Sequence, residues 1–160
     1  MLLVDNWVDI KVIWIMSNAA DFAATLHVRD ACLCLHAQRA ARALARRFDE
    51  AFRPLGITSG QYSLLHSLNR PAPPSLGQVA EVLAMDRSTV TANLKPLQRR
   101  GLVAIGVDPD DRRGRRAALT EAGRALLAQA TPIWVEEHER VEAELTIAPD
   151  TLRAGLRAVA

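Results

Sequence analysis

The sequence contains few cysteines and few aromatic residues, and it lacks a long uninterrupted apolar run. Two cysteines are too few for a disulfide framework, and their scarcity fits a reducing cytoplasm. No stretch reaches the roughly 18 apolar residues that a membrane-spanning helix needs. Residues 7–16 are apolar but are interrupted by Asp9 and Lys11, and no basic run precedes them, so we expect no signal peptide. We therefore predict a cytoplasmic protein.

Catalytic and metal-binding constellations are also missing from the sequence. The four histidines are scattered, and no nucleophile has a base at motif spacing. Cys32, Cys34 and His36 come nearest to a zinc-ligand set, but on a helix successive members of this set point about 200° apart. Only a distorted helix or ligands from a partner chain would rescue such a site. We predict that the protein is not an enzyme and has no metal or cofactor.

The composition favours closely packed helices. Apolar residues make up 49% of the 160 residues, but only three Trp, three Phe and one Tyr are among them. This length allows one domain, or two small lobes that share elements. The net charge of +2 is too small to indicate a nucleic-acid partner, but its distribution is uneven. Basic residues are concentrated in residues 87–116, whereas residues 136–144 contain five glutamates.

Residues 75–120 contain the central pattern of the chain. A first short helix over residues 76–83 is followed by a tight connection that ends in Asp86, a favourable N-cap. A second helix over residues 87–100 has its apolar residues at Val90, Leu94 and Leu97. Its opposite face is small, hydroxyl-bearing and basic, which suits a DNA major groove. An ordinary solvated helix is the alternative that this pattern leaves open. Pro96 predicts a bend in the second helix after Lys95.

A basic β-hairpin follows the second helix. Gly101 is suited to the position just after a helix end, and residues 102–105 form a short apolar strand. Residues 106–116 form a hairpin tip marked by Pro and Gly that carries four arginines, and residues 117–119 return as the partner strand. Two helices followed by such a hairpin make a winged helix. Its wing can reach the DNA backbone or a narrow minor groove.

The chain from about residue 32 to residue 145 resembles the multiple-antibiotic-resistance regulator (MarR) family of bacterial winged-helix transcription factors. Three segments carry the resemblance by their motifs and their order: LGITSGQYSLL (55–65), SLGQVAEVLAMDRSTVTANLKPLQRRGLV (75–103) and DPDDRRGRRAALTEAGRALL (108–127). The resemblance implies a homodimer that represses transcription by binding a pseudo-palindromic operator in double-stranded DNA. It also implies a response to a small molecule or an oxidant.

The predicted fold is mainly α with a small β-hairpin wing, a winged helix-turn-helix with N- and C-terminal dimerisation helices. Residues 1–27 form a variable extension, of which residues 1–15 could belong to an upstream misreading or a local extension. Residues 28–54 and 121–160 form the dimerisation region, and residues 55–120 form the DNA-binding domain. One long helix is expected over residues 28–52, with a buried stripe that includes Leu33, Ala37, Leu44 and Phe52.

The predicted DNA-binding residues lie on the second helix, at the start of the first and on the wing. On the family's pattern, Asp111 orients Arg113. The full set is Ser75, Arg87, Ser88, Thr89, Thr91, Ala92, Lys95, Arg112, Arg113 and Arg115.

An effector pocket is expected between the dimer lobe and the winged lobe. Its candidate lining residues are His36, Arg39, Tyr62, His66 and Trp134.

An alternative function is a cysteine-based sensor of organic hydroperoxides that uses Cys34 or Cys32. Cys34 lies where the hydroperoxide-sensing branch of the family has its reactive cysteine. That branch has tyrosines near its cysteine, whereas the only tyrosine here is Tyr62. A sensing thiol needs exposure and a lowered pKa, which a sequence does not reveal. A redox protein with peroxide turnover and a winged-helix module for protein interaction are further alternatives.

Overall fold

The computed structural model describes residues 19–109 and 111–159. The chain divides into two compact units, Met1–Ala43 and Leu44–Ala160. The described residues are mainly helical, and none of their helices combines the length and the apolar character needed to cross a membrane. In order, the elements are α1 (Ala19–Ala31), α2 (Leu33–Phe52), a 3-10 turn (Arg53–Leu55), α3 (Ser59–Ser67), α4 (Leu76–Val82), α5 (Arg87–Arg99), β1 (Val103–Val107), β2 (Arg115–Leu119), α6 (Glu121–Ala143) and α7 (Pro149–Arg157).

The first unit contains α1 and the beginning of α2. The single helix predicted over residues 28–52 is wrong at its start, because the helix is interrupted at Cys32. The Cys32 sulfur accepts a hydrogen bond from the Leu35 amide at 3.4 Å, so the thiol caps the new helix start. Residues 19–27 of the predicted N-terminal extension belong to α1. The prediction about residues 1–15 lies outside the described residues.

The predicted buried stripe of the long helix is mostly exposed. Leu33 is 79% exposed and Leu44 is 41% exposed, and only Phe52, at the end of α2, is fully buried. The helical period is therefore correct, but the described residues leave most of the stripe uncovered. An apolar face of this kind marks a surface that another molecule can cover.

The second unit has one continuous hydrophobic core. It combines the inward faces of α3, α4 and α5 with the two strands and the middle of α6. Tyr62, Leu65 and Val79 are buried in it, whereas Val82, at the end of α4, is 57% exposed. The largest fully buried side chains are those of Phe52, Leu64, Leu65, Val79, Val90, Leu94 and Leu97.

The helix ends of the second unit follow the local chemistry of the sequence. Thr58 opens α3 with a capping box, and Ser75 opens α4 in the same way. Asp86 occupies the N-cap position of α5, but its side chain makes no capping hydrogen bond, which corrects the predicted role of that carboxylate. Pro96 lies inside α5, which continues through it to Arg99. Gly101 adopts the left-handed conformation just after this helix (φ 69°), as predicted.

The two strands form an antiparallel hairpin. Val103 pairs with Leu119 and Val107 pairs with Arg115, so the paired region extends further toward the tip than predicted. The hairpin is attached to the loop before α4, because Ser75 forms an isolated antiparallel bridge with Arg116 and the Ala117 amide donates to the Pro74 carbonyl at 3.1 Å. The wing and the first helix of the helix-turn-helix are therefore joined through backbone hydrogen bonds.

Helix α6 packs closely against the start of the hairpin. Thr120 caps the helix by accepting a hydrogen bond from the Gly123 amide at 3.0 Å, and its hydroxyl donates to the Gly101 carbonyl at 2.7 Å. Gly123 is buried, and a Cβ atom built on it would lie 2.1 Å from the carbonyl oxygen of Leu102. Pro132 lies inside α6, and the helix continues through it to Ala143 rather than ending at a junction.

Arg47 connects the second half of α2 with α6. It forms ion pairs with Glu137 and, at 2.6 Å, with Glu144. The side chain of Glu137 is only 10% exposed, and Arg140 also pairs with it. Arg47 is the arginine of α2 that pairs with these two glutamates. The guanidinium of Arg47 lowers the pKa of Glu137 below its ordinary value.

We predict that Gly123→Ala destabilises the protein by about 1–3 kcal/mol, because the new methyl group would overlap the Leu102 backbone. Urea unfolding followed by circular dichroism measures the effect. Gly155→Ala is the matched control, since nothing lies within 4 Å of its Cβ position and alanine is the better helix former. Equal stability of Gly123→Ala and the wild type would contradict the close packing.

We predict that the ion pair of Glu137 makes stability depend on pH in the acid range. Since the native pKa is lowered, the stabilisation is complete above the ordinary pKa of 4.5 and is lost as the pH falls through the native value. Glu137→Gln should lower the free energy of unfolding at pH 7 and make its decline below pH 4.5 shallower. Glu139→Gln, which changes an exposed carboxylate on the same helix, should leave both quantities close to those of the wild type.

Candidate nucleic-acid interface

Helix α5 presents one anchored face and one open face. Val90, Leu94 and Leu97 are completely buried and attach the helix to the core. The opposite face carries Ser88, Thr89, Ala92 and Lys95, all of which are exposed. Thr91 is half-buried, and its hydroxyl donates to the Arg87 carbonyl at 2.8 Å, which leaves the oxygen free to accept. Small side chains over the first turns allow close approach to a base edge.

The turn between α4 and α5 is tight and carries one strained residue. The Met85 amide donates to the Ala80 carbonyl at 2.8 Å and the Ala84 amide donates to the Glu81 carbonyl at 3.2 Å, the two bonds of a Schellman motif. This motif places Ala84 in the left-handed region (φ 50°), where glycine is usually found. The geometry of the turn fixes the direction in which α5 leaves α4.

An ion pair fixes the base of the wing. The Arg116 side chain binds Asp108 at 2.9 Å, and the carboxylate is only 9% exposed. The same guanidinium donates to the Pro73 carbonyl at 3.2 Å. The Gly114 amide donates to the Asp111 carbonyl at 2.8 Å and closes the turn. Arg116 therefore forms contacts within the protein, although in the sequence it is one of the four arginines of the predicted hairpin tip.

The tip of the wing carries two cations that point away from the protein. Arg112 and Arg113 are exposed, and the Arg113 amide donates to the Asp111 carboxylate at 2.9 Å. Asp111 thus holds the backbone of Arg113, and the guanidinium is left for an external partner. Arg115 behaves differently, because its guanidinium donates to the carbonyls of Gly114 (2.9 Å) and Arg112 (3.3 Å). Asp110 lies outside the described residues.

A cavity of about 300 Å³ lies beside the helix-turn-helix. Its lining is Tyr62, Ser63, His66, Ser67, Val82, Leu83 and Trp134. The Tyr62 and Trp134 rings lie 6.4 Å apart with an angle of 15° between their planes, and the His66 ring lies 5.8 Å from that of Tyr62. Burial raises the pKa of Tyr62, so its phenol stays protonated at neutral pH.

Three of the five predicted ligand residues line this cavity: Tyr62, His66 and Trp134. His36 and Arg39 belong to the first unit and are exposed there. The two serines and the two aliphatic residues of the lining are not among the predicted residues. Ser63 and Ser67 are one turn apart on α3, as Tyr62 and His66 are, and this spacing is the signal that could have found them.

The two cysteines differ in environment. Cys32 is half-buried at the break between α1 and α2, whereas Cys34 is exposed and accepts a hydrogen bond from the Gln38 side chain at 3.3 Å. Oxidation sensing by either cysteine stays a prediction. Among residues 19–109 and 111–159, no three His, Cys, Asp or Glu side chains are grouped to hold a metal ion.

The sequence model of the MarR family matches residues 55–114, which cover α3, the helix-turn-helix and the first part of the wing. The chain is 32% identical over 110 residues to the transcriptional activatory protein BadR of Rhodopseudomonas palustris. This match covers 67% of the chain and 61% of BadR, so the chain spans about three fifths of that relative.

Solved structures of transcriptional regulators resemble most of this chain. The transcriptional regulator MosR of M. tuberculosis, in complex with DNA, has a TM-score of 0.72 and 33% identity, covering 79% of this chain and 92% of MosR. CouR of Rhodococcus jostii, bound to p-coumaroyl-CoA, has a TM-score of 0.66 and 26% identity, covering 81% of this chain and 90% of CouR.

Proposed function

The chain belongs to the MarR family of transcriptional regulators, and on that premise we propose that it is a sequence-specific regulator that binds double-stranded DNA as a homodimer. The observation that carries this proposal is the open face of α5 together with the outward-pointing arginines of the wing. Ser88, Thr91 and Ala92 would contact base edges in the major groove, and Arg112 and Arg113 would contact the flanking backbone. The structure of MosR in complex with DNA supports this assignment.

The proposed dimer is supported by exposed apolar side chains at both ends of the chain. In the first unit Phe22 is 62% exposed, and Val28 and Leu33 are exposed as well. In the second unit Leu156 and Val159 of the C-terminal region are exposed. A second copy of the chain would remove these surfaces from water. A symmetric dimer would read two half-sites about one helical turn of DNA apart.

We predict that Arg113→Ala weakens binding to all DNA sequences. The magnitude of the salt slope of the binding constant should fall by about one for each phosphate contact that the variant no longer makes, or about two per dimer. Ser88→Ala or Thr91→Val should instead change the preferred base pairs, at about 1–3 kcal/mol for each base contact that is removed. Fluorescence anisotropy at several salt concentrations, on a selected duplex and a scrambled duplex, measures both effects.

Arg53→Ala is the charge-matched control for the wing variant, because Arg53 is exposed on the 3-10 turn and pairs with Glu50. It should bind both duplexes as the wild type does. Unchanged affinity of Arg113→Ala at low and high salt would overturn the assignment of the wing. If Arg113 enters a narrow minor groove, the weakening should be greatest on A/T-rich flanks.

The proposed regulator responds to a small molecule and acts as a repressor. The cavity on α3, α4 and α6 supports this part of the proposal, because Val82 and Leu83 line it and lie at the end of the helix that precedes the recognition helix. Among the described residues, its lining contains three aromatic rings, three hydroxyls and no Lys or Arg side chain. An uncharged, ring-bearing molecule fits this chemistry better than an anion does. The structure of CouR with p-coumaroyl-CoA is an example of such a regulator with a small-molecule ligand.

We predict that 4-hydroxybenzamide binds the protein more tightly than 4-hydroxybenzoate and releases it from DNA. The two probes differ mainly in charge, and the described lining of the cavity offers no Lys or Arg side chain to a carboxylate. Trp134→Leu should weaken binding of the amide roughly tenfold by removing a ring contact, whereas Tyr62→Phe, which keeps its ring, should change it less. Isothermal titration calorimetry measures these affinities. Tighter binding of the carboxylate would contradict the proposed ligand class.

A further inference from the structure

The guanidinium of Arg87 lies directly over Gly77. Arg87 is the first residue of α5, and Gly77 is the second residue of α4. A Cβ atom built on Gly77 would lie 2.9 Å from the Nη2 atom of Arg87 and 3.2 Å from its Cζ and Nε atoms. The side chain therefore reaches from the recognition helix to the first turn of the preceding helix and lies against bare backbone.

Arg87 is not held by an acidic partner. Within the part of the chain that the structure describes, it forms no ion pair, and the residue is exposed. Two other arginines, one at the far end of α5 and one in the wing, are used internally: Arg100 donates to the Gly56 carbonyl at 2.7 Å, and Arg116 binds Asp108. The position of Arg87 thus comes from shape, because only the missing side chain of residue 77 leaves room for the planar group.

We propose that Gly77 is a positioning residue that seats the Arg87 guanidinium for contact with a DNA phosphate at the junction of α4 and α5. The inference rests on the proposed DNA-binding function. The guanidinium lies over the backbone of the first turn of α4. In the proposed complex it meets the DNA backbone there and not the base edges. Seating it before binding reduces the side-chain entropy that is lost in the complex. Arg87 therefore contributes affinity without sequence preference.

Gly77→Ala tests whether residue 77 positions the Arg87 guanidinium, and it is expected to leave the fold intact. The atoms that the new methyl group would meet belong to the flexible end of the Arg87 side chain, which can move aside. Alanine is also a better helix former than glycine. The substitution should therefore displace the guanidinium while α4 stays intact. Gly60→Ala is the matched control: Gly60 is the second residue of α3, after a capping box of the same kind, and its Cβ would meet only Thr58 Oγ1, at 3.9 Å.

The experiment compares the full-length wild type, Gly77→Ala, Arg87→Ala, the double variant and Gly60→Ala by salt-titrated anisotropy. The DNA is a duplex selected by the wild type from a random library, and a scrambled duplex. Arg87→Ala should weaken binding to both duplexes on the order of tenfold and lower the salt slope by about two per dimer. Gly77→Ala should shift both quantities in the same direction, and Gly60→Ala should shift neither. The double variant should have the same affinity and salt slope as Arg87→Ala, because Gly77 has no guanidinium to position once the Arg87 side chain is removed.

Several outcomes would overturn the proposal. In the first, Gly77→Ala binds DNA as tightly as the wild type while Arg87→Ala binds more weakly. In the second, the losses of affinity from the two substitutions add in the double variant. In the third, Arg87→Ala changes the preferred base pairs. Arg87→Lys gives a test that does not depend on the stability of Gly77→Ala. It keeps the charge but loses the planar group, so wild-type affinity of Arg87→Lys would show that the seat is unnecessary. A wild type that binds no duplex would refute the proposed function instead.

Discussion

The burial of three aliphatic side chains on one face of α5 is the constraint on which the rest of the candidate DNA-binding surface depends. Val90, Leu94 and Leu97 are all completely buried, and each contributes about 1.5–3 kcal/mol through removal from water. Their spacing of four and three residues commits one side of the helix to the core. The other side is therefore free to carry residues suited to contact with DNA. A polar residue at Leu94 would disturb both the fold and the presentation of that face.

Arginine has two different roles within residues 112–116 of the wing. Arg116 is paired with Asp108 and bonded to the Pro73 carbonyl, so its charge is used inside the protein. Arg113 has its backbone held by Asp111, and its guanidinium extends outward. The acidic residues of the wing thus strengthen a basic surface, because they fix the shape of the hairpin while the guanidinium groups at the tip stay directed outward. The net charge of the segment understates its attraction for a polyanion.

Local signals and long-range contacts differ in how well the sequence reveals them. The capping box at Thr58 and the left-handed Gly101 involve residues within a few positions of one another and are predictable from their spacing. The partners of Arg47 lie 90 and 97 residues away, among several glutamates that are equally plausible. Arg116 pairs with Asp108 of the same hairpin, where several aspartates are equally plausible. The break at Cys32, where the thiol accepts a hydrogen bond from the Leu35 amide, leaves no mark on the apolar periodicity of the sequence. The rings of the candidate ligand site can be predicted because they are rare in this sequence, whereas its serines and aliphatic residues resemble many others.

The position of the cavity connects it with the geometry of DNA binding. Leu83 lines the cavity and is also the C-cap of α4. It is followed at once by Ala84, whose left-handed conformation is held by the two hydrogen bonds of the Schellman motif. A non-glycine residue in this conformation costs on the order of 1 kcal/mol, which the packing and hydrogen bonds of the turn must offset. Leu83 therefore lies both in the lining of the cavity and next to the turn that connects α4 with α5. Because the turn between Val82 and Arg87 is short, its backbone conformation sets the direction of the whole of α5.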